Sequence, residues 1–290
     1  MLGAAFSSAA GGGPHHGTTE MSVPAPPLIE VQDLRKCYQV GGVRFPALQG
    51  VDLTLERGEF TVVAGRSGSG KTTLLNLIAG LEVPTQGTVR VAGEEFSQRD
   101  RDARATFRLH HVGFVFQAFN LVRVLSAREN VAFVCQLQGR EPRACLDLAD
   151  HWLAEVGLGG LGDRRPDQLS GGHQQRVAVA RALAVSPDIV LADEPTANLD
   201  SVTALALVEL LQHLNQEFGT TFLISSHDHH VIEHARRVVR LEDGRVVTGE
   251  RQPARLSPEQ ACPPEDRQVR HRILKLLADL GCSRCREATQ

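Results

Sequence analysis

The chain has 290 residues, of which 42% are hydrophobic and 22% charged, a composition typical of a soluble protein with one large domain or two small ones. Its 31 lysines and arginines against 34 acidic residues give a net charge of -3, which counts against the broad basic surface of a nucleic-acid-binding protein. No stretch approaches the roughly 18 uninterrupted apolar residues of a membrane-spanning helix, so we expect none.

Two tails flank the segment that carries the folding signals. Residues 1–27 are rich in Gly, Ala, Ser and Pro and have little to bury, so we predict a disordered N-terminal tail. Residues 250–290 form a C-terminal tail, in which apolar residues at helical spacing end at Gly281 and predict one helix. These residues are Val269, Ile273, Leu276, Leu277 and Leu280. Cys282 and Cys285 are spaced like a metal or redox pair, but too few further ligands are near for structural zinc. All six cysteines are expected to be reduced thiols.

Residues 28–249 are predicted to form one α/β domain. Short alternating apolar segments between Leu28 and Leu55 indicate antiparallel strands, and hence a small β-subdomain. The β-branched run Phe60–Ala64 is followed by glycines and then by a segment of helical period. This strand, loop and helix order is that of an α/β unit and predicts a parallel sheet.

The second half of the domain repeats the alternation of helices and strands. Residues 128–158 are predicted to be helical, with a helix start at Glu141 and Pro142. Further buried strands are predicted at Ile189–Ala192 and Thr221–Ser225, and a helix from Val202 to Glu217 separates them.

A phosphate-binding loop is predicted directly after the strand at residues 60–64. Residues Gly65–Thr72 fit G-x-x-x-x-G-K-T and lie between a buried strand and an apolar helix, as that motif requires. The glycines let backbone N–H groups turn toward phosphate oxygens, and the helix N-terminus adds its dipole. Lys71, one of three lysines in the chain, would reach the β- and γ-phosphates, and the Thr72 hydroxyl would bind Mg²⁺. The predicted nucleotide-binding residues of this loop are Gly65, Arg66, Ser67, Gly68, Ser69, Gly70, Lys71, Thr72 and Thr73.

Two carboxylates follow the apolar strand at residues 189–192. Because the carboxyl ends of parallel strands meet at one edge of the sheet, Asp193 and Glu194 should face the phosphate loop. Asp193 would belong to the Mg²⁺ shell, while Glu194 would orient and polarise the water that attacks the γ-phosphate. Glu194 and Lys71 are therefore predicted catalytic residues.

The segment Leu169–Arg176, LSGGHQQR, resembles the signature motif of ATP-binding cassette (ABC) ATPases. Other residues match the remaining motifs of that family in order: Tyr38 the A-loop aromatic, Gln117 the Q-loop, Asp200 the D-loop and His227 the switch histidine. The resemblance extends over residues 28–249. It implies an α/β fold with a P-loop NTPase core and a mostly parallel sheet, an N-terminal antiparallel β-subdomain and an α-helical subdomain.

The resemblance also implies roles for these residues. Tyr38 would stack on adenine. Gln117 would complete the Mg²⁺ shell and sense the γ-phosphate. His227 would contact the γ-phosphate and the water held by Glu194, which adds it to the predicted catalytic residues.

The signature segment implies a dimer. Ser170, Gly171 and Gly172 would offer N–H donors to a γ-phosphate from a helix N-terminus, but on the helical subdomain, away from their own Lys71. In the family they act in trans, so that two chains enclose two ATP molecules head to tail, here as a homodimer. Asp200 would link the two sites. His173 departs from the Gln or Glu common in the family, and we expect it to change affinity rather than abolish activity.

Four stretches resemble the branch of the family that includes lipoprotein-releasing, macrolide-export and cell-division ATPases: ALQGVDLTLERGEF, SGSGKTTLLNLIAGLEVPTQGTV, VGFVFQAFNLVRVLSARENV and DEPTANLDS. The resemblance implies a peripheral subunit at the cytoplasmic face of the inner or plasma membrane. It would drive a separate permease chain that exports or extracts a lipophilic substrate. Candidate walls of the permease-docking groove, each equally suited to core packing, are Phe119, Leu121, Val122, Val124 and Leu125.

Other functions remain as alternatives. One is a soluble ABC ATPase of DNA repair or translation, although residues between Lys71 and Ser170 lack sustained heptads and the chain carries one cassette. Another is a cell-division regulator ATPase that transports nothing. A P-loop kinase would not need the LSGGHQQR segment. We expect no nucleic-acid partner.

Overall fold

The computed structural model describes residues 26–251, and its elements follow one another as strands of a small sheet, then alternating helices and strands. The first half contains β1 (Ile29–Val40), β2 (Val43–Leu55), β3 (Phe60–Ala64), α1 (Lys71–Ile78), β4 (Gln86–Val91), β5 (Glu94–Glu95), α2 (Arg101–His111) and β6 (Val112–Val115). The second half contains α3 (Ala127–Leu137), α4 (Pro142–Glu155), α5 (Gly171–Ala184), β7 (Ile189–Asp193), α6 (Ser201–Phe218), β8 (Thr221–Ser226), α7 (His229–Glu233), β9 (Arg237–Glu242) and β10 (Arg245–Arg251).

The strands form two sheets within the described residues. The first is antiparallel, with the order β2-β1-β4-β5. The second has the order β10-β9-β3-β8-β7-β6, in which only the edge strand β10 runs antiparallel to its neighbour. The predicted antiparallel β-subdomain and mostly parallel core sheet are both confirmed.

The central strands of the parallel sheet are mostly apolar, and both of their faces are covered. Every residue of β3, β7 and β8 is buried, as expected for parallel strands between layers of helices and sheet. One core packs α1 and the β-subdomain against one face, and a second core packs α3, α4 and α5 against the other. The carboxyl ends of β3, β7 and β8 therefore open at one edge, where the loops after them meet.

The region predicted to be helical at residues 128–158 is divided into α3 and α4. Ser126 begins α3 with a capping box completed by Glu129. Gly139, at φ 76°, follows the end of α3 in the left-handed region. Glu141 then caps α4 and Pro142 occupies its first turn, as the sequence predicts.

None of the helices in residues 26–251 has the length and apolar character needed to cross a bilayer. The predicted N-terminal tail and the predicted helix near Val269–Leu280 lie outside the described residues. The domain limits at residues 28 and 249 stay predictions.

Candidate active site

The loop between β3 and α1 adopts a conformation that only glycine allows at several positions. Gly68 and Gly70 have φ values of 83° and 104°, in the left-handed region. A Cβ on Gly70 would lie 2.6 Å from the Ala47 carbonyl oxygen, and one on Gly65 would lie 2.3 Å from the Leu241 carbonyl oxygen. The loop is therefore held tightly against β2 and β9, with its backbone free to approach a ligand.

Lys71 is the first residue of α1 and its side chain is buried, with 5% exposure. Its ammonium folds back over the loop and donates to the carbonyl oxygens of Gly65 at 2.7 Å and Arg66 at 3.1 Å. It also lies 3.1 Å from the Glu194 Oε1 atom. A positive charge is thus fixed at the centre of the loop, where a phosphate anion would be bound.

The two carboxylates at the end of β7 point to separate partners. Asp193 Oδ1 accepts hydrogen bonds from Thr72 Oγ1 at 3.1 Å and from Ser225 Oγ at 2.6 Å. The backbone N–H of Glu194 donates to both the hydroxyl and the carbonyl oxygen of Ser225. Ser225 was not among the predicted site residues. The signal that could have found it is its place in β8, two residues before His227.

Glu194 lies in an uncommon backbone conformation between two basic side chains. Its φ of 44° is in the left-handed region, which L-residues other than glycine rarely adopt, and such positions concentrate at functional sites. His227 Nδ1 lies 2.9 Å from Glu194 Oε2, on the opposite carboxylate oxygen from Lys71. A carboxylate fixed in this way is suited to accept a proton from a water molecule.

Lys71, Glu194 and His227 line one cavity of about 280 Å³ at the carboxyl edge of the parallel sheet, whereas Asp193 is not among its lining residues. The predicted residues that line it are Ser67, Gly68, Gly70, Lys71, Thr72, Thr73, Gln117, Glu194 and His227. Gln117 enters it from the loop after β6, and its backbone carbonyl accepts a hydrogen bond from Asn198 Nδ2 at 2.8 Å. Asn198, between Glu194 and Asp200, is a second residue that the sequence analysis missed.

A larger cavity of about 750 Å³ adjoins the cavity of Lys71, since Ser67, Gly68 and His227 line both. Its other lining residues include Arg66, Ser69, His229 and Arg240, but neither Lys71 nor Glu194. The Ser69 hydroxyl is buried and has no hydrogen-bond partner within residues 26–251. The smaller cavity, which holds the catalytic groups, is therefore the candidate active site despite its size.

Tyr38 lies beside that cavity rather than on its wall. Its hydroxyl donates to Glu82 Oε2 at 2.7 Å and also interacts with Thr73, which lines the cavity. The predicted A-loop residue is thus adjacent to the phosphate loop, in β1 of the antiparallel sheet.

The signature residues are not part of the cavity around their own Lys71. Ser170 caps α5 by accepting a hydrogen bond from the His173 N–H at 3.3 Å. A Cβ on Gly172 would lie 2.4 Å from Thr203 Cγ2, and one on Gly171 would lie 3.7 Å from the Phe119 ring. The signature segment therefore packs against the segments after Gln117 and Asp200. Its exposed residues Ser170 and His173 lie outside the cavity of Lys71.

Asp200 stabilises the start of α6 within its own chain. It caps α6 by accepting from the Val202 and Thr203 N–H groups, and it accepts a 2.7 Å hydrogen bond from the Thr203 hydroxyl. The hydrogen bond from the Thr203 side chain, followed by those from the backbone, lowers the pKa of this carboxylate. Asp200 thus fixes the threonine against which Gly172 packs.

Comparison with known proteins identifies matches over most of the described residues. The family model described as ABC transporter matches residues 48–197. The chain is 49% identical to the lipoprotein-releasing system ATP-binding protein LolD of Anaeromyxobacter dehalogenans, over 77% of this chain and 94% of that protein. It is 46% identical to the macrolide export ATP-binding/permease protein MacB of Rhodopirellula baltica, over 78% of this chain. It spans only 34% of MacB, about a third of that relative's length.

Solved structures match the fold as well. One is the ATP-binding cassette MJ0796 as a dimer in a post-hydrolysis state with ADP and Pi. It superimposes with a TM-score of 0.73 at 38% identity, covering 78% of this chain and 99% of that one. The transporter component cbiO1 from Clostridium perfringens gives a TM-score of 0.71 at 26% identity, covering 87% and 94%.

Proposed function

Because the chain belongs to the ABC transporter family, we propose that it is an ATP hydrolase that drives a separate membrane permease. The resemblance and fold predicted from the signature motif are confirmed by this membership. The observation that carries the chemistry is the single cavity shared by Lys71, Thr72, Glu194 and His227. The alternatives in DNA repair or translation gain no support, since the relatives named above are components of release and export systems.

ATP hydrolysis follows from the charges around that cavity. The phosphate loop offers backbone N–H groups to the triphosphate, and Lys71 neutralises charge at the γ-phosphate. Glu194 accepts a proton from water as the water oxygen bonds to the γ-phosphorus and the bond to the bridging oxygen breaks, leaving ADP and phosphate. His227, 2.9 Å from Glu194, holds that carboxylate in place and can donate to the phosphate.

The donor set beside the loop suits Mg²⁺. Thr72 and Asp193 present a hydroxyl and a carboxylate joined by a 3.1 Å hydrogen bond, and Gln117 lines the same cavity. Within residues 26–251 no three His, Cys, Asp or Glu side chains cluster as a metal site, so phosphate oxygens would supply the remaining ligands. Bound there, the ion would neutralise charge that develops on the phosphate oxygens.

We expect Thr72→Ala to raise the Mg²⁺ concentration needed for half-maximal ATP hydrolysis by about tenfold, because one oxygen ligand is lost. Thr72→Ser keeps the hydroxyl and should stay close to the parent. Titrating ATPase activity with Mg²⁺ measures both. An alanine variant with the parent's Mg²⁺ dependence would remove Thr72 from the proposed metal site.

A second copy of the chain would complete each site. The signature residues lie at the N-terminus of α5 and outside the cavity of Lys71, so their N–H groups would bind the nucleotide of another copy. The dimeric MJ0796 cassette covers 78% of this chain at 38% identity, which supports the same arrangement here. Asp200 contributes by fixing the D-loop beside the signature.

An apolar groove of about 560 Å³ offers a docking place for the permease. It is lined from α2, β6 and α3, and includes the half-exposed side chains of Val122, Phe133 and Leu137. Of the five wall residues suggested by the sequence, only Val122 lines it. Leu121 packs against the core, while Val124 is 73% exposed and lies outside the groove.

Phe133→Asp is expected to reduce copurification of the multi-span permease from source membranes by about tenfold or more, because it places a charge in an apolar interface. ATP hydrolysis by the isolated chain should change little, since Phe133 does not line the cavity of Lys71. Val247→Asp, at a half-exposed position of β10, is the matched control. Equal copurification by Phe133→Asp and the control would contradict docking in this groove.

In the whole transporter, we propose that the chain is a peripheral subunit at the cytoplasmic face of the inner or plasma membrane. The permease would export or extract a lipophilic substrate, a proposal supported by the similarity to LolD of a lipoprotein-releasing system and to the macrolide export protein MacB. Reconstitution of the copurified complex in lipid vesicles, with ATP-dependent loss of a lipophilic probe as the readout, tests it.

A further inference from the structure

The surroundings of Tyr38 contain a partly buried charge pair that the proposed hydrolysis does not use. Lys36 Nζ lies over the Tyr38 ring, 5.0 Å from its centroid, and 3.1 Å from Glu82 Oε2. The same Glu82 oxygen accepts the Tyr38 hydroxyl at 2.7 Å. Lys36 also donates to the Val83 carbonyl oxygen at 2.8 Å. The side chains of Lys36 and Glu82 are only 16% and 27% exposed.

We propose that Lys36 and Glu82 are positioning residues for the adenine base, which act by holding the ring of Tyr38 in one orientation. The inference rests on the proposed nucleotide-binding function. The ammonium of Lys36 covers one ring face by a cation–π contact, and the hydroxyl bond to Glu82 fixes the position of the outer end of the ring. A base would stack on the opposite face, and the ring would lose little freedom when the base binds.

Glu82 also connects this ring to the phosphate loop. Its second oxygen accepts a hydrogen bond from Asn76 Nδ2 at 3.3 Å, and Asn76 belongs to α1, the helix that begins at Lys71. The Tyr38 hydroxyl interacts in addition with Thr73 in the first turn of α1. The separation between the base platform and the phosphate-binding ammonium is therefore set by a continuous set of side-chain contacts. The affinity for a nucleotide of fixed length would therefore depend on that separation.

The protonation states are consistent with this arrangement. Burial raises the pKa of Tyr38, and the hydrogen bond to Glu82 raises it further, so the hydroxyl remains a donor at neutral pH. Burial raises the pKa of Glu82, but hydrogen bonds from Tyr38 and Lys36 outweigh that effect and lower it overall. Glu82 is therefore a carboxylate in the folded chain.

Comparing the affinity for ATP with the affinity for inorganic tripolyphosphate distinguishes the adenine end of the site from the phosphate end. Lys36→Ala should weaken ATP binding by about tenfold, because the ring platform loosens. It should leave tripolyphosphate binding unchanged, because Lys71 and the loop are untouched. Lys36→Arg should restore ATP binding, since a guanidinium stacks on aromatic rings and pairs with carboxylates. Arg99→Ala, which breaks an exposed ion pair with Glu94 in the same subdomain, is the control.

The single tyrosine of the chain supplies a second readout. Glu82→Gln should bring the pKa of Tyr38 back toward its ordinary value, measured by the ultraviolet absorbance of the phenolate in a pH titration. An unchanged ATP affinity in Lys36→Ala, or equal losses for ATP and tripolyphosphate, would overturn the inference. A parent chain that binds neither ligand would contradict the proposed function itself.

Discussion

The Glu194→Gln variant is expected to hydrolyse ATP about a thousandfold more slowly than the parent while still binding it. The amide cannot accept the proton of the attacking water. It keeps the size of the carboxylate, and Lys71 and Thr72 remain to bind the phosphates. Because hydrolysis normally ends the ATP-bound state, this variant should accumulate as a dimer with two nucleotides enclosed.

Single-turnover hydrolysis, with light scattering in the presence of ATP, measures both parts of this expectation. Glu233→Gln is the matched control, because Glu233 is an exposed carboxylate at the end of α7, close in sequence to His227. It should hydrolyse ATP at the parent rate and should not accumulate as a dimer. Glu194→Gln with the parent's rate would show that another group activates the water.

The Lys71→Ala variant is expected to lose nucleotide binding rather than the chemical step alone. Removing the ammonium leaves the carbonyl oxygens of Gly65 and Arg66 without their donor and the Glu194 carboxylate without one of its two basic neighbours. The triphosphate also loses the fixed charge at the centre of its loop. We expect ATP affinity to fall about a hundredfold, or about 2.7 kcal/mol.

Calorimetric titration with ATP measures this loss, and thermal unfolding of the same sample checks that the chain is folded. Lys71→Arg is the informative companion. The planar guanidinium is too large to fold back between the Gly65 and Arg66 carbonyl groups, so a charge of the same sign should not restore affinity. Restored affinity in Lys71→Arg would mean that only the net charge matters.

Much of this site could be predicted because its chemistry is local in sequence. The phosphate loop lies within nine consecutive residues, and its lysine follows a buried strand at a fixed distance. The Asp193–Glu194 pair could be placed at the same edge because parallel strands end together. The sheet itself was predictable from the short, mostly apolar runs of β3, β7 and β8.

The contacts that orient these groups could not be predicted, because they join residues far apart in the chain. Ser225 holds Asp193 and Glu194 from 32 and 31 positions away, and Asn198 reaches the Gln117 carbonyl across 81 positions. The position of Ser225 two residues before His227 places it at the site edge, but nothing in the sequence shows that its hydroxyl binds Asp193 and Glu194. The five suggested groove walls illustrate a related point, since periodicity left core packing equally open for each of them and does not reveal that Leu121 faces the core.

We propose that a functional site needs the loop of one chain and the signature of another. Mixing two inactive variants tests this proposal. Lys71→Ala lacks phosphate binding but keeps the signature. Ser170→Asp keeps the loop and can still cap α5, while its carboxylate repels a γ-phosphate.

ATP hydrolysis by each variant alone should be close to zero. In an equimolar mixture half of the dimers pair the two variants, and each of these has one intact site, so activity should recover to about a quarter of the parent rate. If the mixture is no more active than the separate variants, sites are not shared between two chains. The proposed arrangement would then be wrong.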